Sequence, residues 1–127
     1  MRVNVSIRTD NEQIETLNIH GEYVQTHDKH IISYIESLYD NLIIVDKYTN
    51  IVTVEKQSTM PNQMYYSKLI FQLGKTHKCT IDVDGYNTFV NVKSTKVSTI
   101  ATEKQFIIKL EYTIEDINNN VEVVVEW

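Results

Sequence analysis

The chain has 127 residues, of which 42% are apolar and 23% charged, with three Gly, one Pro and one Cys. That length buries a core in one domain, residues 1–127, without metal or disulfide support, and that composition excludes a disordered chain. The net charge is −5 and the 12 Lys and Arg are scattered, Lys93 and Lys96 forming the nearest thing to a basic group late in the chain. This argues against nucleic acid and against an acidic membrane surface as partners, since both need clustered cations.

The first residues already alternate. Val3, Val5 and Ile7 share one face and Asn4, Ser6 and Arg8 the other, the mark of an extended strand with one dry side. Asp10-Asn11 is a turn signal, after which Leu17, Ile19, Gly21 and Tyr23 share one parity in a longer strand. Gly21 inside that strand points to a bulge or a close backbone approach. His27-Asp28-Lys29 forms a hairpin tip, and a third strand runs from Lys29 to Leu38. Its two faces, Ile31/Ser33/Ile35 and Ile32/Tyr34/Glu36, are equally credible inner faces, and periodicity does not choose between them.

Asp40-Asn41 turns the chain, and two short strands, Leu42 to Lys47 and Ile51 to Lys56, flank Tyr48-Thr49-Asn50. Met60-Pro61-Asn62 breaks the pattern. Tyr65 to Leu73 is the sixth strand, with Leu69, Phe71 and Leu73 on one side, and Gly74-Lys75 ends it. Cys79, Ile81 and Val83 alternate up to Asp84-Gly85, the strongest hairpin dipeptide in the chain. Thr88 to Val97 follows, then Thr99 to Gln105 as a loop or one helical turn. Phe106, Ile108, Leu110, Tyr112 and Ile114 then alternate with Lys109, Glu111, Thr113 and Glu115. Asn118-Asn119-Asn120 reads as a turn, and Val121, Val123, Val125 and Trp127 share a face in the last strand, which is expected to be structural.

These segments predict an all-β protein: a single closed or nearly closed antiparallel up-and-down barrel of about eight to ten strands, because short connections favour a meander and closure removes the sheet edges. No apolar run is long enough for a membrane-spanning helix, and Met1 to Arg8 alternates instead of forming a signal core. A lone Cys79 excludes an intrachain disulfide and fits a reducing compartment, so the cytoplasm is the expected setting.

Little in the chain points to chemistry. His27 and His30 are three residues apart but lack further metal ligands nearby, and Asp82-Val83-Asp84-Gly85 lacks the remaining ligands of a calcium loop. His77 lies two residues from Cys79, about 7 Å along an extended strand, too far for direct activation. Cys79, sharing parity with Ile81 and Val83, is expected to be a buried thiol. Neither a metal nor another cofactor is implied. Glu36 is the polar residue of interest. If it faces inward it needs a cation or donors, with Lys56, Arg8 and tyrosine hydroxyls as the options.

Several short motifs occur in order: Gly21-Glu22-Tyr23, Ile32-Ser33-Tyr34-Ile35-Glu36, Val52-Thr53-Val54-Glu55-Lys56, Leu69-Ile70-Phe71 and Val90-Asn91-Val92-Lys93-Ser94-Thr95. In this order the chain resembles the YwiB-like family of small bacterial proteins of unknown function, and Tyr34-Ile35-Glu36 looks like that family's Tyr-x-Glu strand. The resemblance implies a calycin, lipocalin-like barrel and a cytoplasmic setting, and it implies no activity. Lys56 departs from it, standing where the family tends to show Arg followed by Gly, which puts a bidentate contact with Glu36 in doubt. Thr80-Ile81-Asp82 before Gly85 stands for the family's Tyr-x-Thr strand.

The function expected from this reading is non-catalytic binding of a small apolar or amphipathic ligand, lined by Tyr34, Glu36, Lys56, Phe71 and Tyr112. The alternative is a protein-interaction module using an outer face or a strand edge, with a homodimer as one form and a solid barrel core as another.

Overall fold

The computed structural model describes residues 1–11, 13–58 and 60–127. Ten strands succeed one another: β1 (Arg2–Asp10), β2 (Ile14–Gln25), β3 (Lys29–Glu36), β4 (Tyr39–Asp46), β5 (Val52–Ser58), β6 (Tyr65–Phe71), β7 (Thr76–Val83), β8 (Tyr86–Ala101), β9 (Gln105–Ile114) and β10 (Ile117–Glu126). Each pairs antiparallel with its sequence neighbours. β1 closes the ring by pairing with β10, from Asn4 opposite Glu126 to Asp10 opposite Asn120. The barrel is therefore up-and-down and fully closed, where the sequence predicted a closed or nearly closed one.

Inward rows are apolar. Val3 and Val5, Ile32 and Tyr34, Ile43 and Val45, Phe106, Ile108 and Leu110, and Val123 and Val125 are all buried. Removing each such side chain from water contributes about 1.5–3 kcal/mol. The face of β3 left open by its sequence is thus decided: Ile32 and Tyr34 point in, while Ile35 is 62% exposed. Outward positions carry charge, as in the ion pair of Lys109 with Glu122 at 3.8 Å. No helix is long and apolar enough to cross a membrane.

Gly21 marks a close approach and not a bulge, since its register with Val3 and Tyr34 is regular. A Cβ there would lie 2.6 Å from the Ser33 carbonyl oxygen, 3.1 Å from Val5 Cγ2 and 3.2 Å from Tyr34 Cβ. The pairing of β2 with β3 runs from Gly21 to Gln25, whereas the pairing of β2 with β1 extends from Glu22 back to Ile14. Gly21 therefore sits where β2 parts from β3.

Five sequence expectations need correction. Asp40-Asn41 lies within β4, because the turn before it is formed by Ser37, with φ of 54°, and Leu38. Asn118-Asn119-Asn120 lies within β10, because the turn is formed by Glu115 and Asp116, with φ of 51° and 64°. Positive φ at both central residues is the twist a two-residue hairpin requires, and Asp84-Gly85 (φ 49° and 85°) meets the same need between β7 and β8. Thr99 to Ala101 belongs to β8 and not to a loop or helical turn. The reason is a bulge: Ser94 opposes Tyr112 and Lys96 opposes Glu111, leaving Thr95 unopposed. The extra residue reverses the parity, so Val92 and Ser94 point in before it and Val97 after it. A search for unbroken alternation loses the strand at that point. β6 ends at Phe71, which leaves Leu73 exposed, and Trp127, expected on the dry face, is 40% exposed.

Trp127 nonetheless helps close one end of the barrel. Its ring stacks on Tyr23 at 5.2 Å and its Nε1 donates to the Glu103 carbonyl at 3.0 Å. Tyr23 stacks in turn on Phe106, and His30 lies 4.1 Å from the Phe106 ring. The Tyr23 hydroxyl is 2.6 Å from His30 Nδ1. Burial, and secondarily the Lys47 charge, pull the His30 pKa below its ordinary 6.5. As pH falls through 6.5 the unfolded chain takes up this proton before the folded one does. Stability from His30 is therefore complete above pH 6.5 and is lost as pH falls toward the lower folded value. Thermal melts should show a lower Tm at pH 5.5 than at pH 7.5, by roughly 1–4 °C from this group. His30→Gln should shrink that difference, and an undiminished difference would show that His30 is not its source.

Candidate functional site: the barrel cavity

The aromatic stack closes the end where β1 starts and β10 stops. Toward the other end, where β1 runs into β2, the interior is not filled. A cavity of about 290 Å³ remains there. Its wall is mostly aliphatic: Ile7 of β1, Ile43 of β4, Val54 of β5, Leu69 of β6, Leu110 of β9 and Val123 of β10. Phe71 and Tyr112 form one side, their rings 4.7 Å apart. Four polar side chains interrupt this surface: Thr9, Tyr34, Lys56 and Tyr112.

These polar groups are placed by strand parity. Tyr34 continues the inward row begun by Ile32, and Lys56 continues that of Val52 and Val54. Tyr112 follows Phe106, Ile108 and Leu110 along β9. Among the described residues, no hydrogen bond reaches the hydroxyl of Tyr34 or of Tyr112. Burial, helped by the nearby Glu36 charge, pushes the Tyr34 pKa up to about 12, and burial raises that of Tyr112. Both phenols are therefore neutral donors at physiological pH. The Lys56 ammonium rests 4.5 Å from the centre of the Tyr39 ring, a cation–π contact, and Tyr39 meets Tyr65 edge-on at 5.7 Å. The ion pairs among the described residues are Met1–Glu22, Lys29–Asp28 and Lys109–Glu122, so Lys56 has no carboxylate partner among them.

A larger hollow of about 650 Å³ lies on the outer face of β2 to β6, around Gly21. Outward residues such as Arg2, Glu22, Ile35, Glu55 and Gln57 line it, and Tyr34 borders both hollows. Charges of both signs and the outward position make it an open surface feature. The inner cavity has the combination that specific small-molecule sites share, an apolar wall with a few polar groups.

Comparison with known proteins agrees with this architecture. A family model described as "Domain of unknown function (DUF1934)" matches residues 1–123. The chain belongs to this family. Its fold is similar to that in the crystal structure of the ywiB protein from Bacillus subtilis, with a TM-score of 0.79 and 14% sequence identity. The match covers 98% of this chain and 89% of that one. At that identity the likeness speaks for the fold alone, and it agrees with the YwiB-like resemblance carried by the ordered motifs. No curated protein matches.

In this DUF1934 barrel, Tyr34, Lys56, Phe71 and Tyr112 all line the one cavity. Glu36 does not. It shares the inward face of β3 and is half-buried, but it lies two residues beyond Tyr34 at the strand's end and forms no ion pair with Lys56 or Arg8. The polar residue missed from sequence is Thr9. It continues the parity of Val3, Val5 and Ile7, so extending that row by one step would have found it. Cys79 is buried, its sulfur accepting from the Ile70 amide at 3.3 Å. The two histidines weighed as a metal pair are engaged separately, His30 with Tyr23 and His27 with the Tyr48 hydroxyl at 3.0 Å.

Proposed function

We propose that this DUF1934 barrel is a non-catalytic binding protein that holds a small apolar or amphipathic ligand in its interior. The observation that carries the reading is the cavity of about 290 Å³, apolar apart from four polar side chains, two of them tyrosines whose hydroxyls have no hydrogen-bond partner among the described residues. Apolar space that no side chain fills forfeits the dispersion contacts that a filled core would make, and a ligand restores them. The lone buried Cys79 supports a reducing setting, the cytoplasm.

Titration calorimetry with 1-octanol and with octanoate tests this. At least one should bind saturably with one site per chain. Val54→Phe, which fills the cavity from β5, should weaken that binding at least about tenfold while leaving Tm unchanged or raised. Absence of saturable binding by either probe, or binding indifferent to the filled cavity, overturns the reading.

A second reading, a protein-interaction module, is supported by the hairpin ends around the cavity's half of the barrel. Ile14, Met64, Tyr86 and Ile117 are all exposed there. A sedimentation experiment showing a stable homodimer would favour it.

A further inference from the structure

Resting on the cavity-binding reading, we infer that the ligand is a compact organic monoanion of the carboxylate type, held with its head at Lys56 and its apolar body against the aliphatic wall. Three observations converge on this. Every hydrogen-bonding group that lines the cavity can donate: the Lys56 ammonium, the phenols of Tyr34 and Tyr112, and the Thr9 hydroxyl. Among the described residues no carboxylate side chain lines the same space. Lys56 is met by the face of Tyr39 and, among the described residues, by no anion, so none of them compensates its charge at the edge of an apolar space.

An uncompensated ammonium beside a low-dielectric wall is best matched by an anion that also accepts hydrogen bonds, and a carboxylate has two oxygens with which to do so. A ligand with a cationic head would face the Lys56 charge with no acid among the described cavity residues to receive it. A ligand with a purely apolar head would leave the phenols and the ammonium unpaired, and that desolvation cost would work against it.

Size narrows the class further. At about 290 Å³ the cavity lies at the lower end of small-molecule sites. Inward, the stack of Tyr23, Phe106 and Trp127 stops it from running the length of the barrel. The body that fits is a medium-chain or single-ring group and not a long lipid tail. Lys56 is the one cationic side chain lining the cavity among the described residues, which matches a head of charge one.

The experiment compares head groups on one chain length with the full-length protein: octanoate, 1-octanol and octylammonium, followed by calorimetry and by amide chemical shifts. Octanoate should bind at least about tenfold more tightly than either analogue. Its shift changes should centre on β5 and β9, around Lys56 and Tyr112. Lys56→Met should remove the preference by weakening octanoate alone, and Arg2→Gln, in the outer hollow, should leave it intact. Octanol or octylammonium binding as tightly as octanoate to the unaltered protein overturns the inference without needing any variant to fold. So does octanoate binding that shifts the outer-hollow residues or depends on Arg2. In the first of these outcomes the cavity reading still stands, since octanol would then occupy the interior. Loss of all saturable binding, or binding indifferent to Val54→Phe, removes both.

Discussion

Gly21→Ala should destabilise the barrel by roughly 3 kcal/mol, a fall in Tm on the order of 10 °C. The added methyl would meet the Ser33 carbonyl oxygen at 2.6 Å, a backbone atom held in the pairing of β2 with β3. A flexible side chain could rotate away, but a carbonyl in a sheet ladder moves only if the ladder moves. Val5 Cγ2 and Tyr34 Cβ close the other directions, at 3.1 and 3.2 Å. Because Tyr34 lines the cavity, any shift that relieves the clash is passed to the candidate site, and octanoate affinity should fall along with stability. Gly74→Ala separates this from a general effect of losing glycine. Gly74 has φ +74° but nothing within 4 Å of the new Cβ, so its cost is conformational only, about 1 kcal/mol. Equal melting temperatures for the two variants would show that the close approach at Gly21 is not a constraint.

Deleting Val121–Trp127 should abolish cooperative folding. The segment supplies the partners of Asn4 to Thr9 on β1 and of Gln105 to Leu110 on β9, so its loss opens the ring and exposes two edges together. It also removes the buried Val123 and Val125, and Trp127 from the aromatic stack. A truncated chain should show no sharp thermal transition and should aggregate. A finer version separates closure from bulk. Val125→Asp, at a fully buried inward position, should cost several kcal/mol, whereas Val124→Asp, on the outward side, should cost well under about 1 kcal/mol. A truncated protein that melts as cooperatively as the full chain would show that β10 is not needed to close the barrel.

The physical basis of what could be read from the residues is visible in β9 and β3. In β9 the inward row of Phe106, Ile108 and Leu110 and the outward Lys109 and Glu111 are chemically opposite, and one-sided burial follows from alternation alone. In β3 both rows are apolar, Ile31/Ser33/Ile35 against Ile32/Tyr34/Glu36. No local property separates them, and the side that faces in was set by register with β2 and β4. The bulge in β8 hid for a related reason: one unopposed residue, Thr95, reverses the parity, and unbroken alternation was the signal being followed. The Asn118-Asn119-Asn120 tract misled because turn-favouring composition says where a turn is tolerated. The two left-handed residues that made it, Glu115 and Asp116, lie just before.

The candidate site divides in the same way. Tyr34, Phe71 and Tyr112 were legible as aromatic positions on separate strands and Lys56 as a cation for Glu36, but only their convergence on one cavity makes them a site. Glu36 falls outside it because β3 ends there, a matter of strand length that its alternation did not encode.

By itself the amino-acid order determined the class of fold, the approximate count of strands and their meandering succession, because two-residue periodicity and turn chemistry act over a few neighbours. Closure of β1 on β10, the inner face of β3, the space that the inward side chains leave unfilled and the place of Lys56 at the edge of that space were decided by the tertiary structure. Each depends on how residues far apart in the chain share one volume, and no local pattern records whether that volume is full.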